Sequence, residues 1–184
     1  MDLIAEARPI ILVGMMGAGK TTVGREYARR HRLCFKDCDQ ELVARTGVTI
    51  PTIFEIEGED GFRRRESQML DELTQESGLV LATGGGVVLN PDNRSMMAGR
   101  GLVIYLNVQP RVLWERTRND RNRPLLQVPN PRARIESLFR ERDPLYRSIA
   151  HVIVDGGRGS PAGMVRQLEK AIDDYRKKAC ERST

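Results

Sequence analysis

The sequence has little of what metal clusters, disulfide frameworks and membrane spans require. Three cysteines, Cys34, Cys38 and Cys180, form an odd set without a CxxC pair, and the two histidines, His31 and His151, lie far apart. That pattern excludes a zinc site and a disulfide scaffold, so the cysteines read as structural or incidental. No stretch approaches the roughly 20 apolar residues of a membrane-spanning helix. The N-terminus, MDLIAEARP, carries acids and no apolar run, so no signal peptide is expected. A cytoplasmic protein without a membrane partner is predicted. Aromatic residues are scarce, at 5%. Across the arginine-rich residues 111–142 the aromatics are Trp114 and Phe139, with acids interleaved. That is a poor base-stacking platform, and nucleic acid is not expected as a partner.

What is present fits one globular domain, 1–184, with 40% hydrophobic and 30% charged residues. The net charge of +5 suits an anionic small molecule. Continuous apolar runs at 10–13, 33–39, 78–83, 101–107 and 150–155 read as strands covered on both faces. Helical patterns fall at 20–31, 39–46, the second half of 51–75, 91–98, 109–118, 132–142 and along a last helix through Met164, Leu168 and Tyr175. Gly47 fits a helix stop. Alternating β and α elements predict a three-layer α/β/α domain with a five-stranded parallel sheet. The polar, proline-rich residues 118–131 break the rhythm and read as a lid loop. The basic tail, about 177–184, is expected to fray.

"GMMGAGKTT" places Gly14, Gly19, Lys20 and Thr21 in P-loop spacing, after a buried strand and at the opening of a helix. Backbone N–H groups of Gly17, Ala18, Gly19 and Thr22, with the helix N-terminus, suit the phosphates of ATP. Lys20 reaches the β and γ phosphates, and the Thr21 hydroxyl ligates Mg2+. The chain is short and lacks a base-reading NKxD pattern and a large insertion, so a small P-loop kinase fits best.

Ligands of open α/β sheets gather at the carboxyl ends of the strands. Asp37 and Asp39 end the second strand and face one side if that strand runs to Asp39. Asp39 also suits a helix N-cap, and Asp37 a turn acid. The third strand ends Ala82-Thr83-Gly84 with no acid for Mg2+. Gly84, Gly85 and Gly86 permit either close approach of a ligand or a tight turn. Arg63 and Glu66 are spaced to form an orienting pair or a plain surface salt bridge. Arg116, Arg123 and Arg142 lie in or near the lid, where arginines suit a transferring phosphoryl group. Phe54 and Phe62 read as an apolar wall or as core residues.

The stretches "GMMGAGKTTVGR", "FKDCDQELVARTG", "IPTIFEIEGEDGFRRRE", "ATGGGVVL", "NRPLL" and "RDPLYR" resemble a bacterial-type shikimate kinase, in order and spacing, from the P-loop to the last strand. The resemblance implies Mg2+-dependent transfer of the ATP γ-phosphoryl group to the 3-hydroxyl of shikimate, in aromatic amino-acid synthesis. It carries the shikimate-binding acid to Asp39, the acid near Mg2+ to Asp37, and the carboxylate-binding arginines to Arg63 and Arg142. The glycine contact falls on Gly85 and the lid arginine on Arg123. The adenine-packing positions fall on Arg116 and Pro161, and a further arginine matches Arg158 with a one-position displacement in "GGRGSP". A monomer is expected. The alternatives are a gluconate or nucleoside-monophosphate kinase, or a catalytically silent regulator, against which Lys20, Asp39 and Arg123 argue.

Overall fold

β1, Ile10–Val13, is buried at every residue because it is the middle strand of the sheet. Around it lie β2 (Cys34–Asp37), β3 (Leu79–Ala82), β4 (Leu102–Val108) and β5 (Val152–Gly156), all parallel, in the order β2-β3-β1-β4-β5. The structure is a computed structural model that describes residues 8–120, 124–157 and 159–182.

Among the described residues, seven α-helices connect and flank these strands. They are α1 (Lys20–His31), α2 (Cys38–Thr46), α3 (Ile50–Leu73), α4 (Pro91–Arg100), α5 (Pro110–Thr117), α6 (Pro131–Ile149) and α7 (Pro161–Arg182). Four of them open on proline, whose missing N–H costs nothing in a first turn. α1 ends on Arg29, Arg30 and His31, which complement the negative end of its dipole. The apolar strands and the inner helix faces make one continuous core.

Four boundaries differ from the sequence reading, each for a local reason. β2 stops at Asp37, not 39, because the Asp37 carboxylate turns to accept from the N–H groups of Asp39 and Gln40. Asp37 is therefore the N-cap of α2, and Asp39 sits in its first turn. α3 is helical over its whole length, with a kink at Gly58 (φ 70°), rather than in its second half alone. α6 runs through Pro144 to Ile149. Its buried residues Ile135, Leu138, Arg142 and Tyr146 keep helical spacing across the proline, and the carbonyl that loses its partner belongs to exposed Arg140. α7 stays helical to Arg182 instead of fraying at 177. Asp173 and Asp174 stand four residues before Lys177 and Lys178, a spacing that supports exposed helix.

The carboxyl ends of β1, β2 and β3 bring three loops together. β1 runs into the P-loop, β2 into Asp37, and β3 into Thr83 and the three glycines. The Thr83 N–H and hydroxyl both donate to the Leu12 carbonyl, which fastens the glycine turn to the strand that carries the P-loop.

Candidate active site

A cavity of about 620 Å³ opens over the P-loop. Its floor is Gly17, Ala18, Gly19, Lys20, Thr21 and Thr22, the phosphate-loop residues anticipated from the sequence. Lys20 is largely buried, and its Nζ donates to the carbonyls of Gly14 (2.7 Å) and Met15 (3.0 Å). Those bonds hold the ammonium against the loop that would wrap a polyphosphate. Arg116 donates to the Gly17 and Gly157 carbonyls, at 3.2 and 2.8 Å, and lines the same cavity as Pro161. Arg116 thus joins the loop after β1 to the end of β5. Arg123 and Arg158 lie outside the described residues.

The Thr21 hydroxyl donates to Asp37 Oδ2 over 2.6 Å. A hydroxyl and a carboxylate, both hard oxygen donors, meet beside the phosphate loop. That set fits Mg2+, which takes one or two protein oxygens and completes its shell with phosphate and water. Among the described residues no cluster of three or more His, Cys, Asp and Glu side chains is placed to hold a metal by itself.

A second cavity, about 100 Å³, adjoins the first. Asp39, Met16, Gly84 and Gly85 line both, so the phosphate end of one cavity is continuous with the other. The smaller cavity has a charged wall of Arg63, Glu66 and Arg142, and an apolar wall that includes Phe54 and Phe62. Those two rings pack with centroids 4.8 Å apart.

The charged wall is the unusual part. Glu66 and Arg142 are each 2% exposed. Arg63 Nη1 donates to Glu66 Oε2 at 2.6 Å, while its Nη2 reaches the exposed Glu59 at 3.0 Å. Burial pushes the Glu66 carboxyl up, and the Arg63 guanidinium beside it pulls the other way without cancelling the shift. The pair is no surface salt bridge. Among the described residues, Arg63 Nε, Glu66 Oε1 and Arg142 Nε are buried without a hydrogen-bond partner. Such atoms cost free energy unless a ligand or water satisfies them.

The glycines explain how those charges fit. A β-carbon on Gly84 would overlap Glu66 Oε1, and one on Gly86 would overlap the Arg63 guanidinium. A β-carbon on Gly85 would stand 3.3 Å from the Met16 N and 3.7 Å from Arg142 Nη1. Close approach is therefore required first by the protein's own charged side chains. They lie across the turn, so a larger residue at 84 or 86 would have to push them aside.

Some cavity residues carried no local signal. Met16 bridges the two cavities, and Pro124 and Leu125, from the stretch read as a lid, line the smaller one. Tyr146 is fully buried, and its hydroxyl donates to the Gly85 carbonyl. The stretches "NRPLL" and "RDPLYR" contain these last three residues, but nothing in their periodicity points to a pocket. Arg64 is exposed and Arg65 pairs with Glu57, so of the three arginines only Arg63 enters the site. Cys38 is buried behind the site, and burial pushes its thiol well up, which makes it a packing group.

Residues 16–173 match the family model described as shikimate kinase. A shikimate kinase of Aromatoleum aromaticum is 76% identical over 94% of this chain and 98% of its own length. One of Dechloromonas aromatica is 59% identical over 90% of each chain. Among solved structures, a shikimate kinase from Acinetobacter baumannii in complex with shikimate superposes with a TM-score of 0.90 at 45% identity, covering 93% of this chain and 96% of that one. A gluconokinase from Sinorhizobium meliloti, with a TM-score of 0.57 at 16% identity over 94% of this chain and 98% of its own, shares the fold alone.

Proposed function

The chain belongs to the shikimate kinase family, an enzyme family whose reaction is the ATP-dependent phosphorylation of shikimate, and we propose on that premise how its own residues carry the reaction. ATP places its phosphates on residues 14–22, where backbone N–H groups and the α1 N-terminus face them. Lys20 gives up the Gly14 and Met15 carbonyls for the β and γ phosphates. Arg116 and Pro161 border the base, with Arg158 assigned to the same edge. Thr21 and Asp37 would hold Mg2+, Asp37 through water. When bound, that ion offsets charge on the β and γ phosphates.

Shikimate takes the smaller cavity, where its carboxylate meets Arg63 and Arg142 in charge-assisted bonds. Arg63 Nη2 exchanges the exposed Glu59 for the substrate, a pair whose loss costs little. Glu66 keeps the other edge of that guanidinium fixed. The glycine turn offers backbone groups to the ring hydroxyls. Asp39 aligns the 3-hydroxyl toward the γ-phosphate and accepts its proton as the bond to phosphorus forms. A loose transition state asks more for alignment than for early deprotonation. The lid excludes water and brings Arg123 to the transferring group. The observation that carries this reading is that Asp39 lines both cavities, one shaped for a polyphosphate and the other walled by two arginines.

A monomer is the working unit of this reading. No helix among the described residues is long and apolar enough to cross a membrane. The use of ATP favours the cytoplasm, and no nucleic-acid partner is assigned. A coupled assay of ADP release with ATP, Mg2+ and shikimate, beside gluconate and CMP, tests the substrate. Turnover should be confined to shikimate, and faster ADP release with either control overturns the assignment.

A further inference from the structure

We propose that Tyr146 is a positioning residue for the acceptor substrate: its hydroxyl holds the Gly85 carbonyl, so that the glycine turn keeps a fixed geometry against the helix that carries the carboxylate-binding Arg142. The inference rests on the reading of Arg142 and residues 84–86 as the acceptor site. Tyr146 follows Arg142 by four residues on α6, so both side chains leave the same face of the helix. Its hydroxyl donates to the Gly85 carbonyl, and a β-carbon on Gly85 would stand 3.7 Å from Arg142 Nη1, so the turn lies against both side chains. A carbonyl only accepts, so the phenol proton goes to Gly85.

Two consequences follow from covalent geometry and packing. No peptide bond among the described residues is cis. In a planar trans peptide the C=O and the next N–H point in opposite directions. Fixing the Gly85 carbonyl therefore fixes the Gly86 N–H, a backbone donor beside Arg63. The phenol itself is held from behind. Its ring stacks on Tyr105 with centroids 4.9 Å apart, and Tyr105 donates to Asp143 Oδ1 at 2.8 Å. Burial pushes the Tyr146 phenol well above its ordinary range, so it keeps the proton it must donate.

Tyr146→Phe removes the bond to Gly85 and leaves the stacked ring. The Michaelis constant for shikimate should rise about ten-fold, the effect of one buried hydrogen bond left unmade, with kcat and the Michaelis constant for ATP within about two-fold. A tyrosine that merely supports the fold would lower thermal stability and leave both constants unchanged; that result overturns the inference. Arg142→Lys is measured in parallel. If it leaves the shikimate constant unchanged, the reading of the acceptor pocket itself fails. If it raises that constant and Tyr146→Phe does not, the inference alone falls. Should Tyr146→Phe not fold, a polyfluorinated tyrosine at position 146 keeps the ring but ionises at lower pH. Relative to wild type, its shikimate constant should climb over the pH range in which absorbance shows that phenol titrating, and a flat ratio there overturns the proposal.

Discussion

Arg63 Nη1 donates to Glu66 Oε2 across 2.6 Å, and the pair fills the space that side chains at Gly84 and Gly86 would need. An ion pair buried on one helix and a run of glycines after a distant strand are thus two halves of one feature. The glycines leave the space that the pair occupies, and a carboxylate removed from water must keep its partner in good geometry.

Gly86→Ala should therefore damage acceptor binding selectively. Its β-carbon would displace the Arg63 guanidinium, raising the Michaelis constant for shikimate by about ten-fold or more, on the scale of a misplaced charged partner. The constant for ATP should stay near wild type. Gly85→Ala should affect both substrates, since its β-carbon faces the Met16 amide of the P-loop as well as Arg142. Steady-state kinetics with each substrate varied in turn checks both, and a Gly86→Ala enzyme with equal losses for ATP and shikimate would sink the assignment.

Glu66→Gln should change the pH dependence of stability in a defined direction. Burial raises the folded-state pKa of Glu66, against the pull of Arg63. A carboxyl raised in this way contributes its stability below the unfolded pKa and loses it as pH climbs through the folded one. The neutral glutamine has no such loss. The stability of Glu66→Gln relative to wild type should improve as pH climbs above the ordinary carboxyl range, about pH 4. Denaturant unfolding at stepped pH measures this, and a difference that stays constant or falls contradicts it.

Asp37→Asn separates two roles held by one side chain. Asparagine caps a helix about as well as aspartate, so α2 should remain intact and stability should shift by less than about 1 kcal/mol. The charge next to Thr21 is lost. The Mg2+ concentration for half-maximal activity should rise roughly 10–100-fold, the scale for a group acting on a metal through its shell. Unchanged Mg2+ dependence in a folded variant would remove Asp37 from the metal site.

Asp39→Asn should reduce turnover by about 10²–10⁴-fold, the range for loss of a positioned acid–base group. ATP affinity, read by titration calorimetry, should remain within about two-fold. Near-normal turnover would leave Asp39 a lining residue without a role in catalysis.

How much of this was legible depended on how local the cause was. The P-loop and the strand that feeds it follow from consecutive residues, and the structure places Lys20 and Thr21 on the cavity floor as their spacing requires. The end of β2 was harder. Alternation put Asp37 and Asp39 on one side of a longer strand, yet Asp37 turns to cap α2 and both acids still line the nucleotide cavity. Local capping won over period-two extension without changing which residues meet. The helical pattern was read to 142, but the helix continues past Pro144, because the burial of Tyr146 beyond it outweighs one missing backbone bond.

Glu66 shows the limit most plainly. Arg63 and Glu66 have the same i, i+3 spacing in solvent as in a core, so no local pattern tells the two apart. The sequence by itself determined the phosphate loop, the order of strands and helices, and the kinds of side chain available for an anionic acceptor. Which charges are buried, and which glycines make room for them, was decided only when α3, α6 and the turn after β3 came together. Burial depends on what packs against a residue, and here the packing partners are separated by long stretches of chain.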